Sequence, residues 1–182
     1  MKEYNEIFIK NSRLEGSRII LRSFTPEDKE DIYEYASADI VTRYLTWPSI
    51  KTLEETEKII ANFYLGRPGI FAIELKSENK CIGCIDIRVN EADNKASFGY
   101  VLTRAYWNNG YMTEALELIL NLAFTKLEVN RVEATHYVGN SGSGEVMKKC
   151  GMKYEGTGIQ EVIVKGEYFD VVHYGIIKRD YK

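Results

Sequence analysis

Between residues 95 and 127 the hydrophobic pattern changes period across one short turn, and that change limits the fold more than any other feature. Lys95 to Thr103 alternates as a strand does, whereas Tyr111 to Leu127 carries Met112, Ala115, Leu116, Ile119, Leu120, Ala123 and Leu127 on one helical face. The join is Tyr106-Trp107-Asn108-Asn109-Gly110. A strand that enters a helix through an Asn/Gly turn leaves several backbone N–H groups without intrahelical partners. It aims them, together with the positive end of the helix dipole, at one point, which is an anion site. Glu114 and Glu117 near the helix start and Lys126 near its end suit the dipole. Arg131 to Val138 alternates again, so strand, helix and strand form one right-handed parallel unit.

The remaining segments arrange themselves around that unit. Residues 1–16 are polar apart from Ile7, Phe8 and Ile9 and read as an N-terminal arm or an edge strand. Arg18 to Arg22 is a strand. Thr25-Pro26-Glu27-Asp28 is a helix start, with an N-cap threonine, proline at the first helical position and acids in the first turn. A second helix is expected over Thr52 to Leu65, with Leu53, Thr56, Ile59, Ile60 and Phe63 at helical spacing. Ile70 to Leu75, Lys80 to Val89 and Lys95 to Thr103 then form an antiparallel meander. A short helix over Ser141 to Cys150 ends at Gly151, and Met152 to Val164 and Glu167 to Lys178 pair through Lys165-Gly166 as a hairpin. The whole chain, 1–182, reads as one α+β domain. Its sheet is mixed, mostly antiparallel, of about six to seven strands, with helices on both faces and a central βαβ unit.

Composition excludes several partners. A net charge of −3 leaves no basic footprint for nucleic acid or an acidic membrane. No apolar run reaches membrane-span length and MKEYNEIFIK lacks a signal peptide's apolar core. Three cysteines, an odd number, suit a reducing cytoplasm. Cys81-Ile82-Gly83-Cys84 has CxxC spacing, but residues three apart on a strand face opposite sides, so core packing is expected. His136 and His173 lack acidic partners at ligand spacing, so both read as structural and no metal site is expected. Gly142-Ser143-Gly144 opens a helix after a strand, but Met147 stands where a dinucleotide fingerprint needs its third glycine. The second strand of the βαβ unit also ends in a polar helix start, Gly139-Asn140-Ser141-Gly142-Ser143. Two such starts at one sheet edge mark a ligand crevice for a long polyanionic cofactor.

Four stretches, taken together in order and spacing, resemble a known family. They are Phe98-Gly99-Tyr100-Val101-Leu102, Trp107 to Ala115, Asn140-Ser141-Gly142-Ser143 and Lys149-Cys150-Gly151-Met152. From about Arg18 to Lys178 the chain is similar to the GNAT acyl-CoA N-acyltransferases, particularly the branch of ribosomal-protein alanine and serine N-acetyltransferases. The resemblance implies that acetyl-CoA lies across splayed strands around Tyr100–Arg104 and 131–138. Its pantetheine would pair near Leu102 and Thr103, beside Arg104. The amides of Asn108, Asn109, Gly110, Tyr111, Met112 and Thr113 would hold the pyrophosphate. Asn140 matches the asparagine that contacts the pantetheine arm, Ser143 a serine near the CoA sulfur, and Lys149 a lysine that approaches the cofactor. The chain departs from the family at Trp107, where Gln or Arg is common, and at Met147, where many members place a tyrosine acid. The second departure passes the acid role to Ser143, whose alternative role is to cap local amides.

The implied reaction is direct transfer of acetyl from acetyl-CoA to a primary amine. A backbone N–H near Leu102 would polarise the thioester oxygen. Glu161, on the final hairpin, is the candidate general base, with an exposed surface glutamate as its alternative. Tyr33, Tyr44 and Trp47 are expected to line the acceptor entrance. The acceptor stays open between a protein N-terminus and a small amine, and the assembly between monomer and homodimer. A non-catalytic acyl-CoA sensor with the same groove is the competing class.

Overall fold

In the computed structural model, which describes residues 4–182, the three antiparallel strands after residue 69 are the sheet's centre. They are β3 (Ile70–Leu75), β4 (Lys80–Asn90) and β5 (Lys95–Leu102). To one side lie β2 (Ile19–Arg22) and the two-residue edge strand β1 (Leu14–Glu15). To the other lie β6 (Arg131–Tyr137), β8 (Glu167–Ile177) and β7 (Lys153–Val164), giving eight strands in the order β1-β2-β3-β4-β5-β6-β8-β7. Only the β5–β6 pair is parallel. The strand beyond the expected six or seven is β1.

One face of the sheet carries α5 (Tyr111–Leu122), whose Ala115, Leu116, Ile119 and Leu120 are fully buried against Ile82, Ile85 and Ile87 of β4. Burying each large aliphatic side chain stabilises by roughly 1.5–3 kcal/mol, so this stripe alone anchors the helix. α1 (Tyr4–Lys10) and α6 (Ser141–Lys149) join the same core through Phe8 and Met147. The other face carries α2 (Lys29–Ala36), α3 (Asp39–Thr42) and α4 (Leu53–Ile59) over a core of Ile32, Tyr35, Ile60, Ala72 and Val41.

Several local expectations change. The apolar island at residues 7–9 belongs to a helix, α1, not an arm or strand: Phe8 is buried in the core and Ile7 packs against it partly buried, while Ile9 stays exposed. Residues 1–3 of the expected arm lie outside the described residues. The helix expected over Thr52 to Leu65 is α-helical only to Ile59 and continues as a π turn over Ile60–Tyr64. Thr56 and Ile60 are buried while Leu53 is exposed, and the extra residue of the π turn leaves Phe63 exposed beyond Ile60. α5 likewise passes into a π turn over Ala123–Leu127.

Cys81 and Cys84 do not face opposite sides of the sheet as strand alternation predicts. Ile73 pairs with Gly83 but Glu74 pairs with Cys81, so Ile82 is an extra residue in β4. That bulge cancels the alternation, and Cys81 and Cys84 reach the same core beneath α2. Both are free and buried, and burial pushes the Cys81 thiol up to about 12, so they pack rather than react.

Candidate active site

β5 and β6 are paired only at Lys95–Arg131, Ala96–Val132 and Ser97–Glu133. Beyond those three pairs the strands separate, so the last residues of each strand expose backbone groups to a gap. The register against β4 shows which groups face it. Thr103 donates its N–H to Ile82 of the β4 side at 2.8 Å. Along an antiparallel strand the bonding direction alternates, which sends the backbone of Tyr100 and Leu102 into the gap. The Leu102 carbonyl there accepts from the Trp107 indole N–H at 2.7 Å, and its N–H remains directed into the opening. Thr103 is buried, with its hydroxyl unpartnered.

The turn into α5 is built by two left-handed residues, Asn108 (φ 62°) and Gly110 (φ 81°). Gly110 is the N-cap, and a side chain there would be strained by this backbone. The first intrahelical bond at this end runs from Glu114 N–H to the Gly110 carbonyl at 3.1 Å, so the amides of Tyr111, Met112 and Thr113 precede the ladder. Met112 also buries its side chain in the core, which orients the first turn. Arg104, exposed, lies over the Trp107 ring at 4.6 Å and brings positive charge to the turn.

A clamp that no local pattern announces holds this turn. Arg18 donates its backbone N–H (2.7 Å) and its Nε (2.9 Å) to the Glu114 carboxylate, and its Nη1 to the Asn109 carbonyl (2.8 Å). Its guanidinium also covers the Tyr111 ring at 4.6 Å. Burial disfavours the Glu114 charge, but the hydrogen bonds from Arg18 and Ile19 outweigh it and hold the carboxyl below its usual range.

The opposite wall of the gap is the start of α6. Asn140 and Ser143 both line a cavity of about 800 Å³ and neither side chain has a hydrogen-bond partner among the described residues. The Ser143 carbonyl accepts from the Tyr100 hydroxyl at 2.9 Å, which ties α6 to β5 across the opening. His136 packs flat on Tyr174 and also lines the cavity. Lys149 is exposed in the last turn of α6, where the Cys150 thiol reaches the Thr113 carbonyl. The starts of α5 and α6 thus converge on one gap.

The cavity extends from Ser143 to the irregular link over 43–50, where Tyr44, Trp47 and Ile50 line it; Tyr33 does not, its hydroxyl bonding the Lys51 carbonyl. Asp86, on β4, also lines it. Its cross-strand neighbour is Gly99, and the carboxylate leans over that glycine: a Cβ there would stand 3.2 Å from Oδ2. Burial pushes the Asp86 carboxyl up, against the opposing pull of Arg88. Asp86 is a functional residue the sequence patterns above do not single out; its one local signal is that it is a lone acid inside the apolar run Cys81-Ile82-Gly83-Cys84-Ile85-Asp86-Ile87.

Glu161 is not among the residues that line this cavity. It sits on a bulge of β7, next to Gln160 (φ 47°), and folds back to His173 Nε2 at 2.8 Å. His173, with Arg131 and Glu155, lines a separate cavity of about 350 Å³. Among the described residues no cluster of His, Cys, Asp and Glu is suited to a metal ion, and no helix is long and apolar enough to cross a membrane.

Comparison with known proteins agrees with this geometry. The uncharacterized N-acetyltransferase YnaD of Bacillus subtilis is 32% identical over 166 residues, which cover 90% of this chain and 96% of that one. The putative ribosomal N-acetyltransferase YdaF of the same organism is 28% identical over 175 residues, covering 92% and 95%. The crystal structure of a GNAT-family acetyltransferase from Bacillus anthracis superposes with a TM-score of 0.84 at 27% identity, covering 92% and 99%. Residues 18–153 match the family described as "Acetyltransferase (GNAT) domain", and with the splayed strands between two helix starts the chain belongs to the GNAT family as an N-acetyltransferase.

Proposed function

We propose that the protein transfers the acetyl group of acetyl-CoA directly to a primary amine. The observation that carries this reading is the gap between β5 and β6, flanked by the free amides at the start of α5. A pantetheine arm is itself an amide chain, and the open edge of β5 offers it strand-like pairing at Tyr100 and Leu102. The amides of 111–113, with Asn108, Asn109, Gly110 and Arg104 around them, suit a pyrophosphate. Leu102 N–H is the donor for the thioester oxygen, a role in which one such bond contributes on the order of 10²–10³ in rate. Thr103 supports Leu102 by holding the strand end to β4. Asn140 and Lys149 belong to the second wall, and the unpartnered Ser143 hydroxyl serves as acid to the departing thiolate.

The test is thiol release from acetyl-CoA with a panel of amines. Ser143→Ala is expected to lower turnover by about 10–100-fold with acetyl-CoA affinity unchanged, the range of a modest general acid. Unchanged turnover removes Ser143 from the mechanism. Binding of acetyl-CoA with no transfer to any amine assigns the protein to the sensor class instead.

A further inference from the structure

We infer that Asp86 receives the amine of the acceptor, and that the acceptor is a small primary amine with one positive charge on a bulky apolar body. The inference rests on the acetyl transfer proposed above and adds the identity of the other substrate. Two carboxylates line the large cavity, Asp86 and Glu55. Glu55 is occupied, accepting the Lys51 N–H at 2.8 Å. Asp86 is held more weakly: Arg88 Nη1 pairs with the buried Oδ1 at 3.2 Å without forming a hydrogen bond, and Oδ2 leans over Gly99. Lys58 and Arg88 line the same cavity and offset its two carboxylates, which disfavours polyamines.

Much of the rest of the acceptor chamber is apolar, although Lys58, Arg88, His136 and Asn140 also line it. Trp47, Ile59, Phe63 and Tyr64 line it, and Phe63 is 58% exposed, an apolar ring kept at the surface without a partner. The chamber is also roofed. Tyr44 reaches from the 43–50 link to the turn before α6, where its hydroxyl stands 2.7 Å from the place a side chain on Gly139 would begin. Lys165, at the tip of the β7–β8 hairpin, pins the same region by donating to the Thr42 carbonyl at 2.7 Å. These two contacts narrow the approach to the chamber, which favours a small molecule over a protein N-terminus.

The step balances without any further reactant. The acceptor ammonium gives one proton to Asp86, and the amine nitrogen forms a bond to the thioester carbonyl carbon. The C–S bond then breaks, and the CoA thiolate takes a proton from the Ser143 hydroxyl, which regains the second proton lost from nitrogen. Asp86 returns its proton to solvent.

The experiment measures kcat/KM by thiol release at saturating acetyl-CoA. The panel is 2-phenylethylamine, L-phenylalanine, spermidine and a peptide with a free N-terminus. The phenyl amine is expected to exceed spermidine and the peptide by about 10–100-fold, the worth of burying one aromatic body. L-Phenylalanine tells whether Arg88 also accepts a carboxylate: a rate at or above that of 2-phenylethylamine identifies an apolar amino acid as the source, a lower rate a simple arylalkylamine, and both support the inference. Asp86→Asn should lower kcat about 10²–10⁴-fold and abolish the acidic limb of the pH profile, while calorimetric acetyl-CoA affinity is retained. The groups facing Asp86 are Arg88 and Cys84 on β4 and Tyr64 on the π turn, and Arg88→Gln should move that limb upward by removing the one positive neighbour. Faster transfer to spermidine or peptide, wild-type turnover in Asp86→Asn, or acetyl-CoA binding with no acceptor on the panel overturns the inference. Failure to bind acetyl-CoA at all overturns the transferase reading itself.

Discussion

Asp86 and Gly99 show how one position makes room for another. A carboxylate buried next to the reaction gap has a stability cost, because its charged form is desolvated. The sign follows from linkage: a carboxyl raised in the folded state binds its proton more tightly there, so folding is weakened as pH rises above the unfolded value of about 3.9. Asp86→Asn is therefore expected to raise the melting temperature near pH 7 while removing turnover, a combination a purely structural acid would not give. The pair with Arg88 lost in that variant contributes little, because the Arg88 side chain is 63% exposed. Gly99→Ala would press a methyl against Oδ2 and turn the carboxylate away, lowering kcat about tenfold or more with folding intact. Phe98-Gly99-Tyr100 carried part of the family resemblance, but its purpose here appears only in space, because Asp86 lies on another strand.

At the scale of elements, the amphipathic run of α5 and its Asn/Gly entry were readable from residue order, since periodicity and turn chemistry are local. The Arg18–Glu114 clamp was not, because its partners are far apart in sequence and Glu114 looked like an ordinary first-turn acid. Glu114→Ala is expected to cost about 1–3 kcal/mol, as loss of hydrogen bonds to a charged group does, and to weaken acetyl-CoA binding by freeing the turn. Calorimetric melting and titration check both. Since the Glu114 carboxyl is lowered in the folded state, the clamp's contribution is full above the unfolded value of about 4.3 and fades as pH falls through the folded one. Wild type and Glu114→Ala should thus converge in stability in acid. The bulge at Ile82 and the π turns at Ile60–Tyr64 and Ala123–Leu127 escaped the sequence reading for the opposite reason: each inserts one residue into an otherwise regular period. Glu161 failed to reach the large cavity on the same ground, its position set by a β7 bulge that alternation does not register.

Across the whole molecule, the sheet consists of β1–β5 and β6–β8 joined by three parallel pairs and by the helices that bridge them. A ligand lodged between the halves should act as a fastener. At a hundredfold excess over Kd, acetyl-CoA is expected to add about 2.7 kcal/mol, or about 5–10 °C in a scanning melt of a chain this size; no shift would mean that the gap is not its site. The gap has a further consequence. Unpaired strand edges ordinarily invite stray strands from other chains and proteins blunt them with charge or bulges. Here the two edges confront each other inside one molecule and part after three residue pairs, so each partly covers the other. The protein therefore keeps its most adhesive backbone in reserve, shielded by its own geometry and open to a thin, flexible guest.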